Sequence, residues 1–359
     1  MLSALTLRLR LRVLLALLTA VGVTYAATGP VGAFARRIGA MDRPGESRRV
    51  HDHPIPRLGG LAIFLGFLAG LLLFTSVTRP LRGILLGCAV IVVLGVADDI
   101  YDLNPWIKLL VQTMAAGIAL LHGVEIRILT NPVHFAGGVI SLGALSAPIT
   151  LLWIVGMTNA LNLIDGLDGL AAGVAGISCA SMLAVSLFLP RATDVSVLLG
   201  ALGGACLGFL PYNRNPARIF MGDTGALLLG YVLSTASVVG LLKMYTAVTF
   251  AMPLLALALP LFDTVFAVVR RLSHGENPMK ADRGHIHHRL LAMGLNQKQA
   301  VAILYGFSVL LGLAAVLLAA NGSVRFWLLL LAGTAAAAVW LWLFLRRHKT
   351  RTKEKTEDD

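Results

Sequence analysis

The residues of this chain that could do chemistry lie in short polar segments between long apolar runs, and several of them are carboxylates. Asp98 and Asp99 are adjacent at the end of one apolar run, in ADDIYDLNP. A carboxylate at the centre of a bilayer costs about 2.5–3.5 kcal/mol on insertion scales, so this pair predicts a function beyond solvation of a helix end. Asp223 begins another apolar run in MGDTG. A plain helix N-cap is the alternative there, although backbone N–H groups at such an end also favour phosphate.

A regular series of amides and carboxylates lies in TNALNLIDGLDGLAAG. Its members stand three residues apart, which keeps them on roughly one face of a helix or of a tightly wound loop. They are Asn159, Asn162, Asp165 and Asp168. The glycines between them let backbone approach a bound group closely. Four polar groups on one stripe between apolar runs predict a ligand site rather than packing.

Histidine and arginine supply the complementary chemistry. Three histidines stand within four residues of ADRGHIHHRLL, between two arginines: Arg283, His285, His287, His288 and Arg289. This pattern predicts an anion site. A zinc site is the alternative, but the segment has no Cys and HxHH is not a usual zinc spacing. The earlier segment DRPGESRRVHDHPIPRLGG adds more Arg and His on a turn-rich Pro and Gly scaffold.

Carboxylates beside basic groups suit Mg²⁺ and a diphosphate substrate. Mg²⁺ binds through one or two carboxylates together with phosphate oxygens, which matches this residue content. The predicted reaction class is therefore phosphoryl transfer at a membrane.

The elements that must position these groups are predicted to be membrane-spanning helices. The 359 residues are 57% hydrophobic and only 13% charged, which is too apolar for an ordinary soluble domain. Runs of about 20 apolar residues are long enough to cross a bilayer. They predict eleven spans, at 11–33, 58–77, 83–97, 105–122, 148–161, 169–190, 195–211, 224–243, 246–270, 299–319 and 325–345. The predicted fold class is an all-α polytopic membrane protein.

Basic residues indicate the orientation of these spans. Lys and Arg number 30 against 18 Asp and Glu. In a soluble protein this excess would suggest nucleic acid, but here we expect no nucleic-acid partner, because basic loops hold membrane topology. Most basic residues lie on one side if the N-terminus is outside and the C-terminus inside, which makes the polar loops cytoplasmic. Arg8, Arg10 and Arg12 oppose this locally. A cleavable signal peptide is the alternative for this region, but its apolar run continues past the possible cleavage site.

The rest of the chain gives simpler expectations. Residues 1–345 are expected to form one transmembrane catalytic domain, and residues 346–359 a charged, disordered cytoplasmic tail. The segment 124–147 predicts a short hairpin on the outer face. Three cysteines lie in apolar runs without metal-ligand spacing and are interpreted as small core residues: Cys88, Cys179 and Cys206.

Five motifs in order resemble the polyprenyl-phosphate N-acetylhexosamine-1-phosphate transferases. They are PIPRLGG, ADDIYD, NALNLIDGLDGLA, FMGDTGALLLG and GHIHHRLL, and they cover the chain from about residue 42 to 291. The bacterial undecaprenyl-phosphate N-acetylglucosamine-1-phosphate transferases are the more similar branch. The sister enzymes of peptidoglycan synthesis, which use UDP-MurNAc-pentapeptide, typically have three consecutive His in place of HIHH. They also have Thr-Pro-Thr-Met-Gly-Gly in place of PIPRLGG.

The resemblance implies a reaction and a location. UDP-GlcNAc and undecaprenyl phosphate would give undecaprenyl-diphospho-GlcNAc and UMP, with Mg²⁺ (or Mn²⁺) as cofactor, as the first membrane step of a cell-envelope glycopolymer. The enzyme would lie in the bacterial inner membrane with its active site facing the cytoplasm, and a homodimer is a further expectation. The alternatives are another UDP-N-acetylhexosamine or UDP-MurNAc-pentapeptide as donor. A secondary transporter is a distant alternative, since transporters usually gather their sites near the bilayer midplane and often contain repeats.

The resemblance also implies roles for individual residues. Asp223 would be the main Mg²⁺ ligand, with Asp99 or Asp98 close to the metal and the lipid phosphate. Lys108, in WIKLLVQ, would face phosphate. The residues expected to line the nucleotide-sugar site are Asn159, Asn162, Asp165 and Asp168, with Asn213 and Phe220 near uracil. Those expected to bind the sugar or diphosphate are Arg283, His285, His287, His288 and Arg289.

The expected mechanism is direct attack by a lipid phosphate oxygen on the β-phosphorus of the nucleotide sugar. A phosphate monoester has a second pKa near 6, so it is mostly dianionic at neutral pH and needs little help from a base. Asp98 would accept any remaining proton, while positioning and charge neutralisation dominate. A two-step route through a phosphorylated Asp is the alternative.

Overall fold

Helices form nearly all of the part of the chain that the computed structural model describes, which is residues 2–42, 54–130, 139–187, 193–240, 254–255, 257–273 and 285–320. In chain order they are α1 (Leu2–Ile38), α2 (Gly59–Leu72), α3 (Arg79–Tyr101), α4 (Pro105–Leu121), α5 (Ser146–Ile164), α6 (Leu170–Leu187), α7 (Thr193–Asn213), α8 (Gly222–Gly240), α9 (Ala258–Ser273), α10 (Ile286–Ala292) and α11 (Gln297–Ala320).

Six of the described helices are long and apolar enough to cross a membrane: α1, α3, α5, α7, α8 and α11. Three shorter apolar helices accompany them, namely α2, α4 and α6. This confirms an all-α polytopic membrane protein. The predicted spans up to 299–319 each coincide with a helix, except that the first part of the ninth, 246–253, lies outside the described residues. The eleventh span, 325–345, and the tail 346–359 also lie outside them.

Two short antiparallel hairpins interrupt the helices. Strands β3 (Ile128–Thr130) and β4 (Val139–Ser141) pair with Leu129 opposite Ile140, which confirms the hairpin predicted within 124–147. Strands β1 (Met41–Asp42) and β2 (Ile55–Pro56) pair with Asp42 opposite Ile55. The second pairing closes the base of the first basic loop, whose residues 43–53 lie outside the described part.

Helix α8 lies at the centre of the described bundle. Every residue from Thr224 to Val238 is buried, and α2, α3, α5, α6 and α7 all pack against it. Most of its hydroxyl groups donate to carbonyls of the same helix, as when Ser237 Oγ donates to Ser234 O at 2.6 Å. A helix buried on all sides is held by its neighbours rather than by amphipathicity, so the position of its first turn depends on how closely they approach.

Glycines on α2 and α3 allow that approach. A Cβ on Gly95 would lie 2.3 Å from Thr224 Cα, and one on Gly60 would lie 2.0 Å from the backbone nitrogen of Gly225. No side chain fits at either distance. The backbones of α2 and α3 therefore contact the first turn of α8 directly and fix where that helix begins.

Gly95→Ala is expected to lower the thermal unfolding midpoint of the detergent-solubilised protein by several degrees. Forcing a methyl group into a packed contact typically costs about 1–3 kcal/mol. Gly117→Ala in α4 is the matched control, because nothing lies within 4 Å of its added Cβ. Alanine stabilises an open helical position by about 0.5–1 kcal/mol. Equal midpoints for the two variants would contradict the close contact.

Candidate active site

A cavity of about 230 Å³ opens where the C-terminal ends of α3 and α5 meet the N-terminal end of α8. Five carboxylates and one guanidinium are among its lining side chains: Asp42, Arg57, Asp99, Asp165, Asp168 and Asp223. Uncharged side chains complete much of the wall, including Asn162, Asn213, Phe220 and Gln297. The cavity therefore combines residues that are distant in the sequence, and four of the five motifs contribute to it.

The carboxylate of Asp99 caps helix α8. Asp99 Oδ1 accepts the backbone N–H of Asp223 at 2.9 Å, and Oδ2 accepts the N–H and the hydroxyl of Thr224 at 3.1 and 2.7 Å. A Cβ on Gly222 would lie 2.3 Å from Asp99 Oδ2, and Gly222 has φ of +69°, so glycine is required there twice over. Two amides that were expected to favour phosphate are thus already bound to Asp99.

The side chain of Asp223 does not cap α8, so the alternative of a plain helix N-cap is wrong for this residue. Its Oδ1 accepts from Asn162 Nδ2 at 3.0 Å, and its Oδ2 accepts from Lys108 Nζ at 3.3 Å. The side chain keeps 34% of its surface exposed and lines the cavity. Asp223 therefore presents an oriented and accessible carboxylate, which is the property required of a metal ligand.

The carboxylate of Asp98 is buried and hydrogen-bonded within the protein, in contrast to that of Asp223. Its Oδ1 accepts the N–H of Leu103 at 2.8 Å, and its Oδ2 accepts from Lys108 Nζ at 2.7 Å. The residue is 5% exposed and does not line the cavity. A role for Asp98 as a proton acceptor stays a prediction. Lys108 does not line the cavity either, but bridges Asp98 to Asp223 and so fixes the orientation of the latter.

The predicted stripe of amides and carboxylates is only partly brought to the cavity. Asn162, Asp165 and Asp168 line it, whereas Asn159 does not. The Asn159 amide exchanges hydrogen bonds with Gln112 on α4 and also donates to Val155 O one turn earlier. Helix α5 ends at Ile164, so the spacing of three residues does not continue as a single helical face.

Asp165 is partly buried and lies close to other carboxylates, which disfavour its ionised form. Burial, and after it the negative charges of Asp223, Asp99 and Asp168, raise the pKa of its carboxyl to about 8, against the opposing charge of Arg57. No side-chain hydrogen bond reaches this carboxyl from the part of the chain that the structure describes. A cation brought into the cavity would relieve this repulsion and favour the ionised form.

Asn213 and Asp168 build the wall behind Asp165. Asn213 Oδ1 accepts the N–H of Gly169 at 3.1 Å, and its Nδ2 donates to Ile219 O at 3.0 Å. Asp168 Oδ2 accepts from Asn215 Nδ2 at 2.9 Å and from the N–H of Ala217 at 3.0 Å. These bonds fix the loop after α7 against the loop after α5. The Asn213 amide is thereby occupied, so the accessible part of the wall expected near uracil includes Phe220.

The histidine segment is a short helix rather than the open loop expected from the sequence, and the cavity wall does not include it. His285 precedes α10 and its Nδ1 lies 2.9 Å from Asp263 Oδ2, while Asp263 Oδ1 accepts the N–H of Ile286 at 2.8 Å. The ring of His287 packs against Gly166, where an added Cβ would lie 2.3 Å from Nε2.

The described members of that segment do not line the cavity. Burial lowers the pKa of His287 to about 4, so its ring is neutral at neutral pH. The ring of His288 lies 4.3 Å from that of His287, and the guanidinium of Arg289 lies 5.0 Å from the ring of Phe266. Arg283 lies outside the described residues. In the described structure the segment supports the loop that carries Asp165, and binding of sugar or diphosphate by it stays a prediction.

Sequence reasoning missed four polar residues of this region: Asp42, Arg57, Asp263 and Gln297. From the sequence, Arg57 and Asp42 were interpreted only as members of a basic loop. Their positions at the two ends of that loop were the feature that could have identified them as site residues. Asp263 had a clearer signal, because an acidic residue inside a predicted span usually has a partner or a function. Gln297 begins α11, and its Oε1 accepts from Asn215 Nδ2 at 2.6 Å. Nothing in its sequence context distinguishes it.

The donor set fits Mg²⁺ shared with a phosphate ligand better than a closed metal cage. Within the described ranges, no three His, Cys, Asp or Glu side chains are grouped so that they could hold a metal ion. Mg²⁺ commonly uses only one or two carboxylates and takes the rest of its ligands from water and phosphate. Asp223 and Asp165 are the carboxylates available in the cavity for such an ion.

Comparison with known proteins gives a consistent relationship. The family model described as glycosyl transferase family 4 matches residues 81–241. A probable undecaprenyl-phosphate N-acetylglucosaminyl 1-phosphate transferase of Bacillus subtilis (strain 168) is 39% identical over 319 residues, which is 89% of this chain and 87% of that protein. An undecaprenyl-phosphate alpha-N-acetylglucosaminyl 1-phosphate transferase of Escherichia coli (strain K12) is 29% identical, over 80% of this chain and 77% of the relative.

The sister enzymes are also similar, over less of the chain. A phospho-N-acetylmuramoyl-pentapeptide-transferase of Rubrobacter xylanophilus is 32% identical over 264 residues, which is 68% of this chain and 77% of that protein. The match to the Bacillus protein is both higher in identity and more extensive. On this evidence the chain belongs to glycosyl transferase family 4, and it is similar to members that transfer N-acetylglucosamine 1-phosphate to undecaprenyl phosphate.

Proposed function

We propose that this chain transfers N-acetylglucosamine 1-phosphate from UDP-GlcNAc to undecaprenyl phosphate, forming undecaprenyl-diphospho-GlcNAc and releasing UMP. The observation that carries the proposal is the Asp223 carboxylate, which Asn162 and Lys108 orient into a cavity lined by acidic residues. The names of the relatives support the choice of sugar and lipid. An enzyme of this kind takes a soluble and a lipid substrate at one membrane face.

The location belongs to the same proposal. The protein lies in the bacterial inner membrane, with the N-terminus outside, the C-terminus inside and the cavity facing the cytoplasm. Placing the basic segments around residues 34–57 and 270–298 on the inside supports this orientation. The product would begin a cell-envelope glycopolymer, such as lipopolysaccharide O-antigen or teichoic acid.

The proposed cofactor is Mg²⁺, for which Mn²⁺ would substitute. Asp223 would hold the ion, with Asp165 as the other available carboxylate, and bound Mg²⁺ would neutralise phosphate charge and polarise the phosphorus. Asp99, expected from the resemblance to be a second ligand, uses both oxygens to cap α8. Its role in this structure is to place Asp223.

In the mechanism, the protein orients two phosphates rather than supplying a strong base. The lipid phosphate is mostly dianionic at neutral pH, so its oxygen attacks the β-phosphorus without general-base help. The bond from that phosphorus to the bridging oxygen breaks, and UMP leaves with the oxygen. Asn162 and Lys108 hold the Asp223 carboxylate in one orientation throughout, so little reorganisation is needed during the reaction. Direct transfer needs no phosphorylated Asp.

Purified protein in detergent is expected to release UMP from UDP-GlcNAc only when Mg²⁺ and undecaprenyl phosphate are both present. Asp223→Asn and Asp99→Asn should abolish this release while the protein still inserts into membranes, the first through loss of the ligand charge and the second through misplacement of α8. Asp194→Asn, at the start of α7 and away from the cavity, is the matched control and should keep its activity.

Three results would contradict the proposal. Release of UMP from UDP-MurNAc-pentapeptide but not from UDP-GlcNAc would assign the chain to the sister reaction. Movement of intact substrate across vesicles without UMP release would indicate a transporter. Near wild-type turnover by Asp223→Asn would exclude this carboxylate as the metal ligand.

Asp165→Asn is expected to raise the unfolding midpoint of the protein measured without nucleotide or metal, although it removes a carboxylate that the reaction uses. The folded pKa of Asp165 is about 8, well above the value of about 3.9 in an unfolded chain. The wild type therefore loses stability as pH rises from about 4 to about 8, and Asn does not. The difference between the two midpoints should grow over that range and level off above it. A difference that does not vary with pH would contradict the assigned repulsion.

A further inference from the structure

Arg57 lies in a backbone segment that is fixed from two sides. Its N–H donates to Ala40 O at 3.0 Å, and the N–H of Phe220 donates to Pro56 O at 2.9 Å. The next residue, Leu58, is fully buried with φ of +76°. A non-glycine residue in this left-handed conformation is strained and persists only where its surroundings enforce it. The segment is held so that residue 57 faces the cavity.

The side chain of Arg57 is held by a carboxylate. Its Nη2 donates to Asp42 Oδ1 at 2.8 Å, with Asp42 nearly buried and Arg57 34% exposed. Within the described residues the guanidinium makes no other hydrogen bond. A guanidinium has five N–H donors in a planar fork, so most of them stay available to a ligand in the cavity.

The charge balance of the cavity indicates which ligand that is. Arg57 is the one cationic side chain among the described lining residues, against five carboxylates. Lys108 does not line the cavity, and its ammonium is bound to Asp98 and Asp223. A diphosphate entering this cavity needs positive charge, and a planar guanidinium binds phosphate oxygens in pairs.

The backbone bonds indicate which phosphate Arg57 reaches. Phe220, on the wall expected near uracil, donates its N–H to the carbonyl of the residue just before Arg57, whereas the Asp223 carboxylate is bonded to Asn162 and Lys108. We propose that Arg57 binds the phosphate that stays with uridine, and that Asp42 is the positioning residue for its guanidinium. When the bond from the β-phosphorus to the bridging oxygen breaks, Arg57 neutralises the charge that develops on the departing UMP. This inference rests on the proposed function.

The test compares UMP with uridine as inhibitors of turnover. Arg57→Gln should weaken inhibition by UMP about ten- to a hundredfold, as expected for loss of a hydrogen-bonded ion pair, and leave inhibition by uridine unchanged. UMP should inhibit Arg57→Lys less strongly than the wild type but more strongly than Arg57→Gln, because an ammonium keeps the charge and lacks the planar fork of donors. Arg218→Gln, an exposed arginine that does not line the cavity, is the matched control and should behave as the wild type.

A second measurement tests Asp42 separately. Asp42→Asn should raise the KM for UDP-GlcNAc with a smaller effect on kcat, and should add little once Arg57→Gln is present, because it acts through Arg57. Full additivity of the two changes would overturn the positioning role. Equal weakening of UMP and uridine inhibition by Arg57→Gln or by Arg57→Lys, or no weakening by either, would overturn the phosphate assignment.

Direct binding separates this inference from the proposed function. Equilibrium binding of radiolabelled UMP to the purified protein, with Mg²⁺ present, needs no turnover. If UMP binds and Arg57→Lys weakens that binding while no UDP-sugar is turned over, the phosphate site stands and the proposed function fails. If turnover occurs but UMP binding is the same in wild type, Arg57→Gln and Arg57→Lys, the proposed function stands and the phosphate site at Arg57 fails.

Discussion

The contact on which the site depends is the one between the Asp99 carboxylate and the first turn of α8. A carboxylate at a helix N-terminus interacts favourably with unpaired amides and with the helix dipole, and here it accepts three hydrogen bonds from two consecutive residues. The carboxylate comes from the end of α3, so one interaction joins α3 to the buried helix α8. Because Asp223 is the residue whose amide is bound, the same contact sets where its side chain begins. This contact is sterically possible because glycine, without a Cβ, stands at Gly60, Gly95 and Gly222.

Orientation of Asp223 then requires groups from two further helices. Lys108 on α4 and Asn162 on α5 bind its two oxygens, and Asp98 holds Lys108 in turn. The resulting site concentrates negative charge beside Asp165, and the carboxylates there repel one another. Active sites commonly hold such strain, because the ligands that function there relieve it. Phosphate bound with a divalent cation would be stabilised by the same carboxylates that repel one another without it.

Much of this arrangement was predictable from the sequence, and the exceptions have physical causes. Spacing identified Asp99, Asn162, Asp165 and Asp223, and the apolar runs gave the helices. Spacing did not reveal that Asn159, about one turn before Asn162 in α5, is bonded to Gln112 on α4 and does not line the cavity. The cap of α8 could not be read locally, since its carboxylate is 124 residues earlier in the chain. For His285, the partner that decides its role lies on another helix, 22 residues away.

The most direct test of the account is to locate the divalent ion. A structure of the protein with UMP and Mn²⁺, solved with the anomalous signal of manganese, would show which carboxylate binds it. We expect the anomalous peak about 2 Å from an Asp223 carboxylate oxygen and in contact with phosphate, as for oxygen ligands of a small divalent ion. A peak on the histidines of α10, or one bound to Asp98 with Asp223 still held by Lys108 and Asn162 alone, would contradict it.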